Sequence, residues 1–225
     1  MAAIYDCTVP SELLAGMRLA RAAISRGELV VIPTDTVYGL AADAFDPKAV
    51  QRLLDAKGRT RQSPPPVLIA DVRTLEALAE NLSQAARDLT EAFWPGGLTI
   101  VVQARASLMW DLGETHGTVA LRQPDDPLAL ELLAETGPLA VSSANLTGQP
   151  AAASAREAFE MLGESVSVYL DSGHPETEAL AAAPALPSTI VDATHPDQVQ
   201  IIREGAIRVS EIRRVVGSAL LEPAG

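Results

Sequence analysis

The sequence predicts an α/β fold in which one open, twisted, mixed β-sheet is flanked by helices. Helical patterns and short runs of Val, Ile and Leu share the chain, but not in the strict strand–helix–strand order of a purely parallel sheet. The chain has 225 residues, of which 48% are hydrophobic and 20% charged, as in ordinary globular proteins. We therefore expect a single domain over residues 1–217, followed by a flexible tail at residues 218–225.

Seven helices are predicted, two of them from clear end signals. In the first, Ser11 is the expected cap, Glu12 favours the positive end of the helix dipole, and Gly27 ends the helix. In the second, Asp46 is the cap and Pro47 occupies the first turn. The predicted helices span residues 11–26, 47–57, 73–80, 83–93, 127–137, 154–162 and 209–216.

Eight short apolar segments are predicted to be strands. They cover residues 28–32, 67–70, 98–102, 118–121, 139–142, 166–170, 188–191 and 199–202. Pro33 ends the first of them because proline cannot donate to a strand ladder. Residues 175–187 are rich in Ala and Pro and are predicted to form a mobile loop.

Composition excludes several classes of protein. With 17 basic and 29 acidic residues the formal charge is −12, which disfavours a broad grip on nucleic acid, although a local basic groove stays open. An aromatic content of 4% argues against a base-stacking platform. A single cysteine, Cys7, excludes a disulfide framework and a cysteine metal site. No secretory signal or membrane-spanning apolar run is visible, so a cytoplasmic location is the default expectation.

Common catalytic signatures are missing from the sequence. Neither the G-x-x-x-x-G-K-[ST] phosphate loop nor the G-x-G-x-x-G dinucleotide fingerprint occurs. The three histidines are far apart and form no H-E-x-x-H motif, which argues against a metalloprotease.

Two polar segments follow predicted structural elements. Thr34, Asp35 and Thr36 come directly after a strand, where hydroxyls and a carboxylate suit ligand binding, but they also suit an ordinary self-capped turn. Three cations fall within residues 57–61 at a helix end. They could hold a polyphosphate or simply complement the helix dipole.

Two further segments carry candidate ligand groups. Residues 142–150 follow a strand and offer hydroxyl, amide and backbone N–H contacts, or form only a polar loop. A serine nucleophile lacks a recognisable histidine partner there. Arg122 ends an apolar strand and needs an anionic partner, which is either a ligand or a neighbouring carboxylate, Asp125 or Asp126. Thr118, the pair Ser188-Thr189 and Arg203 complete this scattered set.

In combination, five motifs resemble the Sua5/YrdC/TsaC family. They are P-T-D-T-V-Y-G-L at residues 33–40, K-x-R at 57–59, W-P-G-G-L-T at 94–99, T-V-A-L-R at 118–122 and S-A-N-x-x-G-x-P at 143–150. They occur in the family's order between about Gly27 and Arg203. The resemblance implies a YrdC-like sheet with a large, positively lined concave cavity.

The resemblance also implies an activity. The family consists of nucleotidyltransferases that make L-threonylcarbamoyladenylate and pyrophosphate from L-threonine, bicarbonate or CO2, and ATP. The product serves the N6-threonylcarbamoyladenosine modification at position 37 of tRNAs that read ANN codons. ATP would bring Mg2+ with it, and no prosthetic group is expected. A tRNA threonylcarbamoyl-transfer complex would take the product, and weak binding of tRNA or double-stranded RNA remains open.

Carried over to this chain, the resemblance assigns two sets of site residues. The catalytic tetrad, which would hold the ATP phosphates, is Lys57, Arg59, Ser143 and Asn145. Further nucleotide contacts would come from Ser63, Thr118, Ala151 and Arg203. The L-threonine pocket would be lined by Thr34, Thr36, Leu68, Arg122, Val141 and Ser188.

The chain departs from the family's usual pattern at four positions and leaves three alternatives. Thr60, Ser63, Leu68 and Ala151 replace the more common Pro, Asn, His and Ser, while the tetrad is intact. The alternatives are a YciO-like paralogue with another activity, a double-stranded RNA or tRNA binder of the same fold, and a module like that of HypF proteins. The length resembles the short family form without the extra C-terminal domain of longer Sua5 members.

Overall fold

A ten-stranded sheet runs through the computed structural model, which describes residues 2–173 and 186–221. In chain order the strands are β1 (Ala3–Asp6), β2 (Val30–Ile32), β3 (Gly39–Asp43), β4 (Val67–Leu68), β5 (Leu98–Gln103), β6 (Thr118–Arg122), β7 (Leu139–Ser143), β8 (Val168–Asp171), β9 (Thr189–Asp192) and β10 (Gln200–Arg203). Their order across the sheet is β1-β8-β2-β3-β7-β4-β6-β5-β9-β10. Parallel pairs such as β4–β6 and β5–β9 alternate with antiparallel pairs such as β3–β7, so the predicted mixed sheet is confirmed.

Seven α-helices lie between the strands in the described part of the chain. They are α1 (Pro10–Ser25), α2 (Pro47–Lys57), α3 (Val72–Leu78), α4 (Gln84–Phe93), α5 (Pro127–Thr136), α6 (Ala155–Leu162) and α7 (Val209–Val216). All seven predicted helices are confirmed, with small shifts at their ends. In this part of the chain, none of them is long and apolar enough to cross a bilayer.

The apolar side chains form three buried clusters, and the pleat of the sheet divides them. Along β2, Val30 and Ile32 pack with α1 and α5, whereas Val31 points to the cluster that contains residues of α2 and α6. This alternation follows from the two-residue period of a strand. The third cluster lies under α3, α4 and α7 and contains much of β5 and β6. Because both faces are covered by helices, polar side chains reach solvent at strand ends.

The strand β3 is absent from the sequence prediction. Its residues Gly-Leu-Ala-Ala-Asp are small and have weak strand propensity. The structure explains the glycine, because a Cβ atom at Gly39 would lie 2.6 Å from the Cγ1 of Val141. This strand is held by its neighbours, β2 and β7, rather than by its own propensity.

The short strand β1 is also absent from the prediction. It lies at one edge of the sheet and pairs only with β8, in parallel. Four residues give too short an alternation to detect in the sequence.

The helix ends show which local signals hold. Helix α2 begins as predicted, with the Asp46 carboxylate accepting from the backbone N–H of Lys48, and it ends at Gly58 in the left-handed conformation (φ +64°). Helix α1 differs, because it begins at Pro10 with Val9 as a cap that makes no side-chain bond, so the expected cap at Ser11 is wrong. Pro10 suits the first turn because its missing N–H would have no partner there.

The C-terminal boundary differs from the prediction too. Residues 217–219 form a 3-10 turn, and Leu220 is buried and bridges to Val199. A tail that starts at residue 218 is therefore wrong for residues 218–221, because the apolar side chain of Leu220 covers the edge of a hydrophobic cluster. Residues 175–185 of the predicted mobile loop and residues 222–225 of the predicted tail lie outside the described residues.

Candidate active site

A cavity of about 230 Å³ opens near the middle of the sheet. Its walls come from the β2–β3 loop, the segment after α2, and the strands β3, β4, β5, β6, β7, β9 and β10. The lining residues are Thr34, Thr36, Val37, Gly39, Arg59, Pro64, Pro66, Leu68, Thr99, Arg122, Val141, Ser142, Ser143, Pro187, Ser188, Ile190 and Arg203.

The cavity brings together all of one predicted set and part of the other. All six residues predicted to bind L-threonine line it. Of the eight predicted nucleotide contacts, three line it, namely Arg59, Ser143 and Arg203. Strand register accounts for several of these positions, because Leu68 pairs with Arg122 and Ile190 pairs with both Thr99 and Arg203.

Arg122 is the most enclosed cation of the cavity lining. Its side chain is 7% exposed. The Nε atom donates to the Gly96 carbonyl (2.9 Å), Nη1 to Thr36 Oγ1 (2.8 Å) and Nη2 to Asp35 Oδ1 (2.6 Å). A guanidinium has five N–H groups, so one remains on each terminal nitrogen after these bonds. Two such N–H groups match the two oxygens of a carboxylate.

The carboxylate partner of Arg122 is Asp35, and the expected pairing with Asp125 or Asp126 is wrong. The backbone N–H of Asp125 donates to the same Asp35 oxygen (2.9 Å), whereas the Asp126 carboxylate caps α5. Burial lowers the pKa of Arg122, and the charge of Arg203 adds to this effect, while Asp35 opposes it. An arginine nevertheless stays protonated at physiological pH.

The β2–β3 loop is built around Thr34. Its Oγ1 donates to the Val37 carbonyl (2.6 Å) and accepts from the backbone N–H groups of Thr36 and Val37 (both 3.2 Å). The self-capped turn that the sequence left as an alternative is therefore present. The same turn places Thr36 where it contacts Arg122, so the self-capped turn also builds part of the site.

The side chains of Lys57, Ser143 and Asn145 direct all of their N–H and O–H protons to oxygens of the turn at residues 143–149. Lys57 is 1% exposed, and its Nζ donates to the carbonyls of Ser143 (2.5 Å) and Asn145 (2.7 Å) and to Asn145 Oδ1 (3.0 Å). The Ser143 hydroxyl donates to Asn145 Oδ1 (2.6 Å). The Asn145 amide donates to the carbonyls of Leu146 and Gln149. Burial, together with the charge of Arg59, lowers the pKa of Lys57 to about 8.

Two further guanidinium groups face the cavity. Arg59 donates to the hydroxyl of Ser142 (3.3 Å), and Arg203 donates to the carbonyl of Ser188 (2.6 Å). Within residues 2–173 and 186–221, neither forms an ion pair with a carboxylate. Burial and the charge of Arg59 lower the pKa of Arg203. The cavity lining is therefore positively charged, although the whole chain has a net charge of −12.

Five predicted nucleotide contacts do not line the cavity. Lys57 and Asn145 are buried behind it. Ser63 lies on an exposed turn, Thr118 donates to the Thr115 carbonyl at the start of β6, and Ala151 follows the 143–149 turn. Their contacts with a nucleotide stay predictions.

Two contributors to the site were missed as such from the sequence. Asp35 was noted only as one carboxylate of its loop, and its pairing with Arg122 spans 87 residues. Thr99 lines the cavity and donates to the Ser188 hydroxyl (2.8 Å). A threonine inside the apolar strand Leu98–Gln103 is the signal that could have found it, because a buried hydroxyl needs a partner. In the described part of the chain no three His, Cys, Asp or Glu residues could together hold a metal ion.

Comparisons with known proteins find consistent similarity. Residues 22–205 match the Sua5/YciO/YrdC family model, which carries the description "Telomere recombination". A Mycobacterium tuberculosis protein named "Putative threonylcarbamoyl-AMP synthase" is 47% identical over 217 residues, covering 96% of each chain.

Two similarities lead to Pyrococcus abyssi. A protein named threonylcarbamoyl-AMP synthase is 35% identical over 209 residues, which are 92% of this chain and 59% of that relative. A crystal structure of P. abyssi Sua5 complexed with L-threonine superposes with a TM-score of 0.82 at 34% identity, again over 92% of this chain and 59% of the other. The chain thus spans about three fifths of the length of these archaeal relatives.

Proposed function

The chain belongs to the Sua5/YciO/YrdC family, and we propose that it is an L-threonylcarbamoyladenylate synthase. The enzyme would join L-threonine, bicarbonate or CO2, and ATP into threonylcarbamoyl-AMP, with release of pyrophosphate. The names of the Mycobacterium and Pyrococcus relatives and the threonine complex of P. abyssi Sua5 support this assignment.

Arg122 is the observation that carries the proposal. A buried guanidinium with one free N–H on each terminal nitrogen is a receptor for a carboxylate, and the α-carboxylate of an amino acid fits it. Arg59 and Arg203 line the same cavity and can neutralise phosphate groups. A cavity with both features suits an amino acid and a nucleoside triphosphate side by side.

The reaction needs two bond-forming steps. The threonine amine attacks CO2, a nitrogen–carbon bond forms, and one amine proton passes to solvent, which leaves a carbamate. A carbamate oxygen then attacks the α-phosphorus of ATP, while the bond between that phosphorus and the pyrophosphate oxygen breaks. ATP is a substrate and brings its own Mg2+, which shields the phosphate charge when bound.

This chain's residues would act by positioning and by charge. Arg122 and Thr36 fix the carboxylate end of threonine, so its amine can lie near the α-phosphorus. Arg59 and Arg203 stabilise the negative charge that gathers on the leaving pyrophosphate. No enzyme nucleophile is required, which agrees with the absence of a nucleophile–base pair in the recognised motifs.

The proposed product has a place in tRNA maturation. Threonylcarbamoyl-AMP is a mixed anhydride, so its consumer must be an acyl-transfer system. The family resemblance implies a complex that modifies adenosine 37 of tRNA. A cytoplasmic location and a transient encounter with tRNA stay predictions on the same footing.

Pyrophosphate release from ATP and bicarbonate, measured with and without L-threonine, tests this function. We expect threonine-dependent release by the wild-type protein, with threonylcarbamoyl-AMP detected by mass spectrometry, and a loss of at least about 100-fold in Arg59→Ala. Arg87→Ala is the matched control, because Arg87 pairs with Glu76 on the surface, away from the cavity. ATP binding without threonine-dependent release would instead favour the paralogue. RNA binding without ATP binding would favour the RNA-binding alternative.

A further inference from the structure

Thr99 has a buried hydroxyl that the proposed reaction does not use. We propose that Thr99 is a positioning residue that makes the Ser188 hydroxyl a hydrogen-bond donor to the substrate side chain, and so selects a hydroxylated amino acid over an apolar isostere. This inference rests on the proposed function and deepens it.

Strand pairing fixes the two hydroxyls against each other. Strands β5 and β9 run parallel, with Leu98 opposite Thr189 and Thr99 opposite Ile190, so Thr99 lies beside the start of β9. Thr99 is 1% exposed and Ser188 is 8% exposed, and both line the cavity. The Thr99 Oγ1 atom donates to Ser188 Oγ across 2.8 Å.

A second contact holds Ser188 in the same place. Arg203 Nη2 donates to the Ser188 carbonyl (2.6 Å) and lies 3.4 Å from the Ser188 hydroxyl oxygen. The Ser188 hydroxyl therefore receives N–H or O–H groups from two directions. Its position and orientation are set by Thr99 on one side and Arg203 on the other.

The hydrogen-bond count then decides what Ser188 can offer a ligand. A serine hydroxyl has one proton, and its oxygen is already an acceptor here. Within the described residues no protein group accepts that proton. The proton must therefore be offered to the cavity, and the ligand atom that meets it must be an acceptor.

Threonine supplies such an atom once Arg122 holds its carboxylate. The amine, and then the carbamate that it forms, must face CO2 and the α-phosphorus in the proposed reaction, which leaves the side-chain hydroxyl oxygen as the acceptor for Ser188. Valine has the same shape with a methyl group in that place, so it would leave the enclosed Ser188 proton without a partner. Sites built to bond a substrate hydroxyl reject analogues that lack it far better than apolar pockets reject an extra hydroxyl.

Thr99→Val tests the inference, because it removes the hydroxyl and keeps the side-chain shape. We expect the ratio of kcat/KM for L-threonine over L-valine to fall about tenfold, through a higher KM for L-threonine. The KM for ATP should change less than about twofold. Thr99→Ser, which keeps the donor, should retain the wild-type ratio.

The controls separate the possible failures. Thermal unfolding of both variants shows whether they fold. If Thr99→Val does not fold, Thr99→Ser provides the test, because a fall in the threonine-to-valine ratio of kcat/KM in a variant that keeps the donor would overturn the inference. An unchanged kcat/KM ratio in folded Thr99→Val would overturn it. Equal rises in the KM for L-threonine and the KM for ATP would also overturn it, because they indicate a merely structural role. A wild-type protein that releases pyrophosphate without any preference for L-threonine would overturn the inference and leave the adenylation chemistry standing. No wild-type release at all would overturn the proposed function itself.

Discussion

The two ends of the candidate site, which are the Arg122 side of the cavity and the 143–149 turn behind it, use their hydrogen-bond donors in opposite ways. At one end, Arg122 makes three bonds to protein and keeps one N–H on each terminal nitrogen for a ligand. At the other end, Lys57, Ser143 and Asn145 direct every side-chain N–H and O–H proton into the 143–149 turn itself. Both ends carry motifs of the same family signature, but Lys57, Ser143 and Asn145 keep no side-chain proton for an anion, whereas Arg122 keeps two.

The difference teaches how binding can proceed at each end. The Arg122 end needs no rearrangement, because its groups already stand where a carboxylate would meet them. For Lys57 to bind a phosphate, it must first give up its bonds to three oxygens of the 143–149 turn. Under the proposed function, Arg59 and Arg203 would therefore attract the phosphates, while Lys57 holds the shape of the turn.

Among the variants that test this comparison, Arg122→Ala gives the largest expected effect. Threonine affinity should fall at least about 30-fold, because truncating a buried charge pair costs about 2–5 kcal/mol and leaves Asp35 unpaired. Titration calorimetry with L-threonine measures the loss. Arg122→Lys is the control for charge alone, and it should still lose at least about tenfold because one ammonium group cannot reproduce the guanidinium fork. Threonine affinity within threefold of wild type in Arg122→Ala would break the comparison.

Lys57→Met should separate the two ends. We expect the free energy of unfolding to fall by about 1–3 kcal/mol, because three oxygens of the turn each lose one donor. Threonine affinity should change less than about twofold, since Arg122 is untouched. Urea denaturation and calorimetry measure the two quantities. Lys48→Met is the matched control, as Lys48 is an exposed lysine at the other end of α2 and should have little effect. A large loss of threonine affinity in Lys57→Met would show that the two ends are coupled.

The pH dependence of stability sharpens the role of Lys57. Its pKa in the folded protein is about 8, below the ordinary value of 10.5, so between these values the unfolded chain holds the proton more tightly than the folded chain does. The free energy of unfolding must then rise with pH in this window, whereas the contribution of Lys57 to it is constant below pH 8.

The measurement is the difference in unfolding free energy between wild type and Lys57→Met, at pH 7.5 and pH 9. The difference should grow toward pH 9, by no more than about 1.4 kcal/mol. Other titrating groups cancel because both proteins contain them. A difference that shrinks as the pH rises would mean that the folded protein holds this proton more tightly than the unfolded chain.

Arg61→Ala gives the smallest expected effect. The Arg61–Asp111 pair has the same 2.6 Å separation as Arg122–Asp35, but its side chains are 47% and 43% exposed, against 7% and 17%. Solvent screens exposed pairs, so unfolding free energy should change by less than about 1 kcal/mol. Thermal unfolding beside Arg122→Ala measures the contrast. Equal destabilisation by the two variants would show that burial is not what distinguishes the pairs.

Local signals predicted most of the helices, and long-range contacts explain most of the failures. Helix α2 could be predicted because Asp46, Pro47 and Gly58 each act within one turn of its ends. Strand β3 could not, because Gly39 is selected by the approach of Val141, which lies about 100 residues away in the chain. Apolar periodicity carries no information about such a neighbour.

The candidate site shows the same contrast between local signals and long-range contacts. All six residues that the resemblance assigned to L-threonine line the cavity, and their contacts with the amino acid stay predictions. The partner of Arg122 was sought among the nearest carboxylates in sequence, but Asp126 is used as a helix cap and Asp35 comes from the β2–β3 loop. The saturation of Lys57 could not be seen either, because it depends on two carbonyl groups whose direction is set by β7 and the turn that follows.

The position of β8 between β1 and β2 affects strand pairing in the nascent chain. Val168 pairs with both Ala3 and Val30, so the early strands have no partner on that side until about 140 further residues have been made. At ribosomal speed this interval is on the order of 10 s. During this interval, the apolar segment Val30–Ile32 has an edge of unpaired backbone N–H and C=O groups that can pair with another chain. The half-made polypeptide, and not the finished protein, is thus the form most in need of a chaperone.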